Sequence, residues 1–498
     1  MSAGTAILES DEKFGRTSDS RRWWALAVIA MAQLMVVLDA TIVTIALPFA
    51  QQDLHISDGD KQWVLTAYTL IFGGLLLLGG RLADYLGRRR ILMIGLIGFA
   101  GASALAGLAQ NAAELFAGRG LQGAFGALLA PAALSLVSIT FTEAKERARA
   151  FGVFAGVSAG GAAIGLIAGG ALTEYANWRW SLLVNAPIAL LALAGAFAFV
   201  IKDVPAPRTG GYDLPGAVTG TLGLISIVYG FSRAASDGWG AGSTLALLIV
   251  GAALLVAFVV IEARTANPLL PLRIPGEINR GGSFLVALLV PIAMFAMFLN
   301  LSFYLQMTLG YSALKAGVAF LPFPAGIVVS AGIASTLLPR IGPRPIMLAG
   351  AVLGGAGLIY MAQLEFGDGY AASLLPAMIL IALGMGGLFV AMQTTALHQV
   401  EEKDSGVASA LLNAAQQVGG SIGTALLTTL SVQAAERYAG NHPTIDNVVA
   451  RAAIHSYDVA FYLGAGFFLA CIPIVAFMIR DKPEHLLEGA EHPAHVGV

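Results

Sequence analysis

The feature of this sequence that most limits its fold is a series of long apolar blocks separated by short polar stretches. Blocks of about 20 residues are long enough for a helix to cross the roughly 30 Å hydrocarbon layer of a membrane. Only 12% of the 498 residues are charged, whereas a soluble domain carries about 25%. Because lipid offers no water to unpaired backbone groups, each block is predicted to be a helix.

Fourteen such blocks can be counted, and an even number places both chain ends on one side of the membrane. They begin near Trp24, Trp63, Ile91, Ala113, Ala150, Ser181, Leu214, Ser243, Gly282, Ala316, Ile346, Ala372, Ser405 and Ser456. Lys and Arg concentrate on the side of the termini, as in Arg88 to Arg90, and positive loops are typically cytoplasmic. We therefore expect a multi-pass protein of the bacterial inner membrane with both termini cytoplasmic.

The chain also repeats itself about half a length apart. The stretch Gly87–Gly95 is echoed by Gly342–Gly350, and Gly161–Gly165 is echoed by Gly419–Gly423. Two parallel halves suggest alternating access around a central site. The predicted domains are a cytoplasmic tail (1–22), a six-helix bundle (23–201), connectors with two inserted helices (202–280), a second six-helix bundle (281–480) and a second tail (481–498).

Two charged residues fall inside the predicted spans of the first half. Asp39 lies about 15 residues into the first block, past the middle of the membrane at 1.5 Å per residue. An ionised carboxylate there costs at least about 2.5 kcal/mol, so it takes a proton, pairs with a cation or faces a wet cavity. Arg119 shares a helix face with Gln122. Asp39 and a backbone carbonyl are both candidate acceptors for its guanidinium.

The turn after the second block, from Gly80 to Arg90, combines a glycine with opposite charges. Gly87 permits a tight turn. Asp84 is placed to accept hydrogen bonds from Arg88 or from a neighbouring helix N-terminus. Anchoring at lipid headgroups explains the arginines but not this acid.

The fifth block carries glycines at a spacing near four, namely Gly152, Gly156, Gly160, Gly161, Gly165 and Gly169. Such a ridge lets a second helix approach closely or slide. Close packing alone and a part in conformational switching are both consistent with it.

Several classes of function lack their signals. A single cysteine, Cys471, excludes a disulfide framework within the chain. No Gly-Lys-Ser/Thr phosphate-binding loop occurs, so ATP hydrolysis is not expected. No catalytic cluster, metal-ligating histidine pair or basic-aromatic platform is visible, and we expect no enzyme activity, no metal or other cofactor and no nucleic-acid partner.

In order, these motifs resemble those of the fourteen-helix drug:proton antiporters of the major facilitator superfamily. The resemblance covers roughly residues 20 to 482 and rests on Leu38–Pro48, Gly80–Leu92, Arg119–Gly126 and Trp178–Trp180, followed by Asn185 and Pro187. It implies an all-α major facilitator fold with two six-helix bundles plus two inserted helices. It also implies a proton-coupled exporter of amphipathic small molecules, driven by the proton gradient and working as a monomer in the lipid bilayer.

The resemblance also implies roles for individual residues. Asp39 would carry the proton and Arg119 would tune or receive it. Asp84 and Arg88, with Gly87 at the turn, would latch the cytoplasmic side as a conformational gate, and Gly165 and Gly169 would belong to the antiporter signature of the fifth helix. The family usually has Gly-Pro where this chain has Gly165-Leu166, which leaves proton symport open as an alternative.

A substrate surface is expected to be apolar with a few amides. The candidate residues are Gln122, Phe295, Phe298, Asn300, Tyr304, Phe389, Gln393, Asn413 and Gln417. The assigned spans of the second half hold no buried acid, which favours a neutral or monocationic lipophilic substrate. The alternative within transporters is a dedicated exporter of one host metabolite, such as an antibiotic or siderophore.

Overall fold

The computed structural model describes residues 19–141, 144–201, 213–266, 268–365, 368–400, 405–443 and 447–480, and these residues form fourteen long helices. In chain order they are α1 (Asp19–Asp53), α2 (Trp63–Leu86), α3 (Arg88–Gly107), α4 (Ala112–Thr140), α5 (Ala144–Tyr175), α6 (Trp180–Phe199), α7 (Leu214–Asp237), α8 (Gly242–Arg264), α9 (Ile278–Thr308), α10 (Ala313–Ile341), α11 (Pro343–Met361), α12 (Tyr370–Leu397), α13 (Ser405–Asn441) and α14 (Val448–Met478). The predicted all-α fold is confirmed. We call the side on which α1 begins and α14 ends the termini side, and the opposite side the far side.

Eleven of the described helices are long and apolar enough to cross a membrane by themselves. In α2 the apolar part runs over Trp63–Leu76. The remaining two, α5 and α13, pack along α1 and α9 respectively. The chain is therefore a multi-pass membrane protein.

Both halves of the chain contain the same tight turn. Gly87 alone separates α2 from α3 with φ of 94°, and Gly342 alone separates α10 from α11 with φ of 77°. A residue with a Cβ is strained at such angles, whereas glycine is not. The echo between Gly87–Gly95 and Gly342–Gly350 thus corresponds to one repeated helix-turn-helix.

Both halves also repeat one helix-helix contact, α5 on α1 and α13 on α9. A Cβ added to Gly165 would lie 3.1 Å from the carbonyl oxygen of Leu38, and one added to Gly423 would lie 2.2 Å from that of Ile292. At Gly423 the opposing backbone leaves no room for a side chain, whereas at Gly165 the nearest atom is Oγ1 of Thr41. The second echo therefore also has a structural basis.

The predicted single glycine ridge on α5 is divided in the structure. Gly161, Gly165 and Gly169 face α1, but a Cβ on Gly156 or Gly160 would meet nothing within 4 Å. The expectation of one continuous face is wrong, because Gly156 and Gly160 are turned away from α1 by the helical twist. The surroundings of Gly152 lie outside the described residues.

The inserted pair, α7 and α8, lies beside the place where α2 meets α13. The hydroxyl of Thr221 on α7 donates to the carbonyl of Gly74 on α2 (3.1 Å), and the hydroxyl of Thr429 on α13 donates to that of Phe231 (2.9 Å). Of the residues of α8, only Thr244, Gly251 and Glu262 are buried. The outer face of α8 is apolar and suited to lipid.

Among the described residues, hydrogen bonds that involve side chains join the two bundles towards the far side. They include Ser302 to the Thr44 carbonyl (2.8 Å), Gln306 to the Ile45 carbonyl (3.2 Å), the Leu314 amide to Glu174 (2.9 Å), Thr69 with Ser421 (2.7 Å) and Gln52 to Met307 sulfur (3.4 Å). We call these contacts the far-side seam. They hold the bundles together in this conformation.

Candidate functional site

Asp39 is the centre of a polar cluster buried inside the first bundle. Its side chain has no exposed surface. Oδ2 lies 2.5 Å from Nη1 of Arg119 on α4. Oδ1 accepts from Nε2 of Gln122 at 2.9 Å and from Nδ2 of Asn185 at 2.6 Å. The carboxylate therefore has a cation and two neutral donors, as a buried charge requires.

Arg119 is also fully buried, and its donors are directed to several helices. Nε donates to the carbonyl of Val64 at 2.8 Å, and Nη1 donates to Oε1 of Gln122 at 2.8 Å. The guanidinium lies 4.5 Å from the centre of the Tyr68 ring on α2. Both candidate acceptors from the sequence, Asp39 and a backbone carbonyl, are used together.

The Asp39–Arg119 pair would respond to a proton, because the single positive charge of Arg119 balances the single negative charge of Asp39. Protonation of Asp39 would leave Arg119 as an uncompensated buried cation, which is expensive. Two polar groups beside the pair have no hydrogen-bond partner among the described residues, the Tyr68 hydroxyl and Oδ1 of Asn185. The Asn185 oxygen is an acceptor, so the cluster holds a second position to which a guanidinium could turn.

Comparison with known proteins decides the family. The model of the Major Facilitator Superfamily matches residues 29–424, most of the chain. This chain belongs to the major facilitator superfamily. It is thus a transporter rather than an enzyme, and the fold expected from the motifs is confirmed.

Relatives of this transporter include proteins named for antibiotic resistance and export. It is 48% identical to the puromycin resistance protein pur8 of Streptomyces alboniger, covering 94% of this chain and 93% of the relative. It is 37% identical to the cephamycin export protein CmcT of Amycolatopsis lactamdurans, covering 84% and 87%. Its fold is similar to that of a bacterial homologue of the human lysosomal transporter Spinster, with a TM-score of 0.67, 14% identity and coverage of 96% and 100%.

The cluster of this transporter includes residues that sequence reasoning missed. Asn185 was noted only as part of a family motif, and Ser103 and Tyr68 were not singled out. Ser103 on α3 accepts from Nε2 of Gln122 at 2.7 Å. The available signal was that polar residues inside spans are usually functional. Gln122, predicted to bind substrate, lies instead in the sealed cluster.

At the predicted gate, the structure confirms the tight turn at Gly87. Arg88 begins α3. The neighbouring Arg89 donates to the carbonyls of Ala196 (3.3 Å) and Phe197 (3.0 Å), which joins the start of α3 to the end of α6. The side chain of Asp84 lies outside the described residues, so its latch role stays a prediction.

Gly165 and Gly169 lie directly beside the helix that carries Asp39. A Cβ on Gly165 would lie 2.0 Å from Oγ1 of Thr41, and one on Gly169 would lie 2.8 Å from the carbonyl oxygen of Ile42. Leu166, where the family usually has proline, is buried, and its carbonyl oxygen lies 2.3 Å from where Gly317 would place a Cβ. α5 thus separates the charged cluster from α10 of the second bundle.

The other predicted substrate residues do not form one pocket. Phe298 packs against the rings of Phe320 and Phe323 at 5.6 and 5.0 Å, and Tyr304 is buried against Tyr457 at 6.0 Å.

The remaining predicted substrate residues differ in how accessible their side chains are to a ligand. Asn300 donates to the Ala296 carbonyl of its own helix at 2.8 Å, and Phe295 packs where Gly420 has no side chain. Phe295 and Phe298 are half-buried within this packing, and Phe389, Gln393, Asn413 and Gln417 are half-buried or exposed. The oxygen of the Gln417 amide has no hydrogen-bond partner among the described residues. These four are the better candidates for contact with substrate.

Among the described helical residues of the second half no acid is fully buried, but one acid, Asp458, is half-buried. Asp458 on α14 has a buried Oδ1 without a hydrogen-bond partner among the described residues. The carboxyl also receives a hydrogen bond from the backbone of Leu364, in the far-side loop after α11. The sequence does not single out Asp458 because it lies at the start of the block predicted to begin near Ser456, whereas α14 begins at Val448. Asp458 faces α11 and not the first bundle.

In the described part of the chain, no group of three or more His, Cys, Asp or Glu side chains is placed to hold a metal ion. The buried Asp39 is neutralised by Arg119 instead. The chemistry that this site can perform is exchange of a proton and rearrangement of one ion pair.

Proposed function

We propose that this transporter exports amphipathic, neutral or monocationic small molecules in exchange for protons, by alternating access. The observation that carries the proposal is the fully buried Asp39–Arg119 pair at the centre of one bundle. A proton moving inwards releases about 2.3 kcal/mol per 100 mV of membrane potential. No cofactor is needed, because the gradient supplies the energy.

The helix α1 links the proton site to the closure of the far side. Asp39 lies five and six residues before Thr44 and Ile45, whose carbonyls accept from Ser302 and Gln306 of the second bundle. A shift of α1 after Asp39 is protonated would act directly on these bonds. Gly165 of α5 presents no side chain to α1, so α1 could shift along α5 without a steric obstacle at this contact.

We assign the termini side to the cytoplasm of a bacterial cell, with the protein in the inner membrane as a functional monomer. This follows the excess of Lys and Arg on that side. The far-side seam is closed in this conformation, which we take as the state that is accessible from the cytoplasm. Substrate would bind in this state, and protonation from outside would follow the opening of the seam.

The relatives support small antibiotic-like molecules as substrates. pur8 and CmcT are named for puromycin resistance and cephamycin export. Because each name gives one compound, they also favour the second candidate, a dedicated exporter of one metabolite. Phe389 and Gln393, four residues apart on α12, would give a lipophilic ligand one aromatic and one amide contact.

The test is transport by the purified protein in proteoliposomes with an imposed pH gradient. Puromycin, a lipophilic cation and a neutral antibiotic would be compared with and without a protonophore. We expect substrate to move against the proton flow and the protonophore to abolish its accumulation. Movement of substrate in the direction of the protons would establish symport and contradict the proposal, whereas transport of puromycin alone would favour the dedicated exporter.

A further inference from the structure

Two carboxyl groups are buried together at the termini-side end of the inserted helices. Asp213 directly precedes α7 and is 4% exposed, and Glu262 lies in the last turn of α8 and is 3% exposed. One oxygen of each is satisfied by backbone: Asp213 Oδ1 accepts from the Gly216 amide at 2.8 Å, and Glu262 Oε2 accepts from the Leu270 amide at 3.0 Å. The other two oxygens, Asp213 Oδ2 and Glu262 Oε1, have no donor among the described residues.

These two oxygens are directed at the same point. A Cβ on Gly216 would lie 2.6 Å from Asp213 Oδ2 and 2.8 Å from Glu262 Oε1, so only glycine leaves room for them. The two carboxyls lie within hydrogen-bonding reach of each other. Ionised carboxylates only accept hydrogen bonds, so a bond between them requires that one carries a proton.

Among the described residues, the basic side chains near the pair do not replace that proton. In the described part of the chain no basic side chain forms an ion pair with Asp213 or Glu262. Arg264 and Arg273 are exposed. Arg81 of α2 points to the adjacent connector, where its Nη2 donates to the Pro268 carbonyl at 3.0 Å. Two like charges buried without a cation are strongly unfavourable, so one of them is neutralised.

We propose that Asp213 and Glu262 hold one proton between them and form a second proton-binding site, separate from Asp39. The site controls the connector between α8 and α9, because Glu262 binds it at Leu270 while Arg81 binds it at Pro268. Loss of the proton would force the carboxylates apart and loosen this connector. Arg81 lies on the last turns of α2, just before Gly87, so the effect would reach the predicted gate.

Infrared spectroscopy of the purified full-length protein tests the proton directly. At neutral pH we expect a protonated-carboxyl band that titrates away at alkaline pH. The part of this band that comes from the pair should be lost in both Asp213→Asn and Glu262→Gln, and it should persist in Asp39→Asn, in Asp458→Asn and in the control Glu277→Gln. Absence of the band from the wild-type protein, or an undiminished band in both Asp213→Asn and Glu262→Gln, would overturn the proposal.

Thermal unfolding gives a second readout that does not depend on transport. We expect the Tm of the wild-type protein to fall as pH rises from mildly acidic to mildly alkaline, because the shared proton is lost. Glu262→Gln should remove this fall, since its amide donates to Asp213 at every pH. If the single variants do not fold, the test uses the Tm of the wild-type protein as a function of pH and the same measurement on the double variant Asp213→Asn with Glu262→Gln. A wild-type Tm that rises with added Na⁺ at alkaline pH would show a metal cation in place of the proton and contradict the proposal.

Discussion

The two bundles of this transporter share their backbone packing and differ in the chemistry at corresponding positions. In the first bundle Gly165 of α5 lies against the carbonyl of Leu38, and in the second Gly423 of α13 lies against that of Ile292. If Leu38 of α1 corresponds to Ile292 of α9, the next residues also correspond, so the equivalent of Asp39 in the second bundle is Ala293. Asp39 is buried among an arginine and two amides, whereas Ala293 is 1% exposed in an apolar core.

The two halves therefore share the packing of their helices but not the polarity of the side chains at corresponding positions. Both bundles carry glycine where two helices touch, but only the first carries the buried ion pair in the described structure. The second contributes aromatic and amide side chains and the partners of the far-side seam. The proposed proton coupling therefore belongs to the first bundle, and the second bundle would move relative to it.

The largest expected effect comes from removing the cation of the first bundle. Arg119→Met leaves the Asp39 carboxylate buried with only two neutral donors. We expect the free energy of unfolding to fall by about 3–5 kcal/mol, as for other broken buried pairs. Thermal unfolding in detergent measures this. The double variant Asp39→Asn with Arg119→Gln should recover most of the loss, and failure to recover would show that charge balance is not what stabilises the cluster.

A smaller effect is expected from the neutral donors, and it should differ between bundles. Asn185→Ala removes a hydrogen bond to the charged Asp39 and should cost about 1.5–3 kcal/mol. The matched variant in the second bundle, Asn300→Ala, removes a bond to a carbonyl of its own helix. A neutral hydrogen bond contributes about 1 kcal/mol. Equal losses in both variants, measured by chemical unfolding, would remove the distinction between the bundles.

The shared packing is tested by adding one methyl group to each glycine contact. Gly423→Ala places a Cβ against rigid backbone and should cost about 1–3 kcal/mol. Gly165→Ala meets chiefly the Thr41 side chain, which can turn away, and should cost less. Gly156→Ala meets nothing and should stabilise α5 by roughly 0.5–1 kcal/mol through helix propensity. The reverse order of the three melting temperatures would contradict the assigned packing.

The smallest effect concerns the start of the second bundle. Burial by itself raises the pKa of Glu277, but the amides of Asn279 and Arg280, which donate to its carboxylate, lower the pKa by more, so the net shift is downward. A lowered pKa means that the group stabilises the fold above its unfolded pKa, and that this contribution is lost as pH falls through the folded pKa. Glu277→Gln should therefore cost about 1 kcal/mol at neutral pH and nothing at strongly acidic pH. A cost that does not depend on pH would contradict this assignment.

The sequence predicts the helices well because apolar length alone determines where a chain can cross lipid. It also predicts that Asp39 and Arg119 are special, since each is costly in a span. It does not predict that Asn185 completes their cluster, because contacts between helices depend on how each helix is rotated. The same limit explains why Gln122 was assigned to substrate and why Gly156 was assigned to the packed face.

The sequence predicts the burial of acidic residues near the ends of spans less accurately. Asp458, Asp213 and Glu262 lie close to polar loops in the sequence, where a carboxylate is normally hydrated. Their burial results from connectors that fold back over the helix ends, as Leu270 does over Glu262. Such coverage depends on tertiary structure and leaves no periodic pattern in the sequence.

The most direct test of proton coupling through Asp39 is a comparison of two transport modes in proteoliposomes that contain Asp39→Asn. The asparagine keeps an oxygen that accepts from Arg119 but removes the counter-charge of this buried cation, so thermal unfolding must first show that Asp39→Asn is folded. We predict that accumulation of puromycin driven by a pH gradient is lost, while exchange of labelled for unlabelled puromycin continues. Accumulation at the wild-type rate in Asp39→Asn would show that the proton is carried elsewhere.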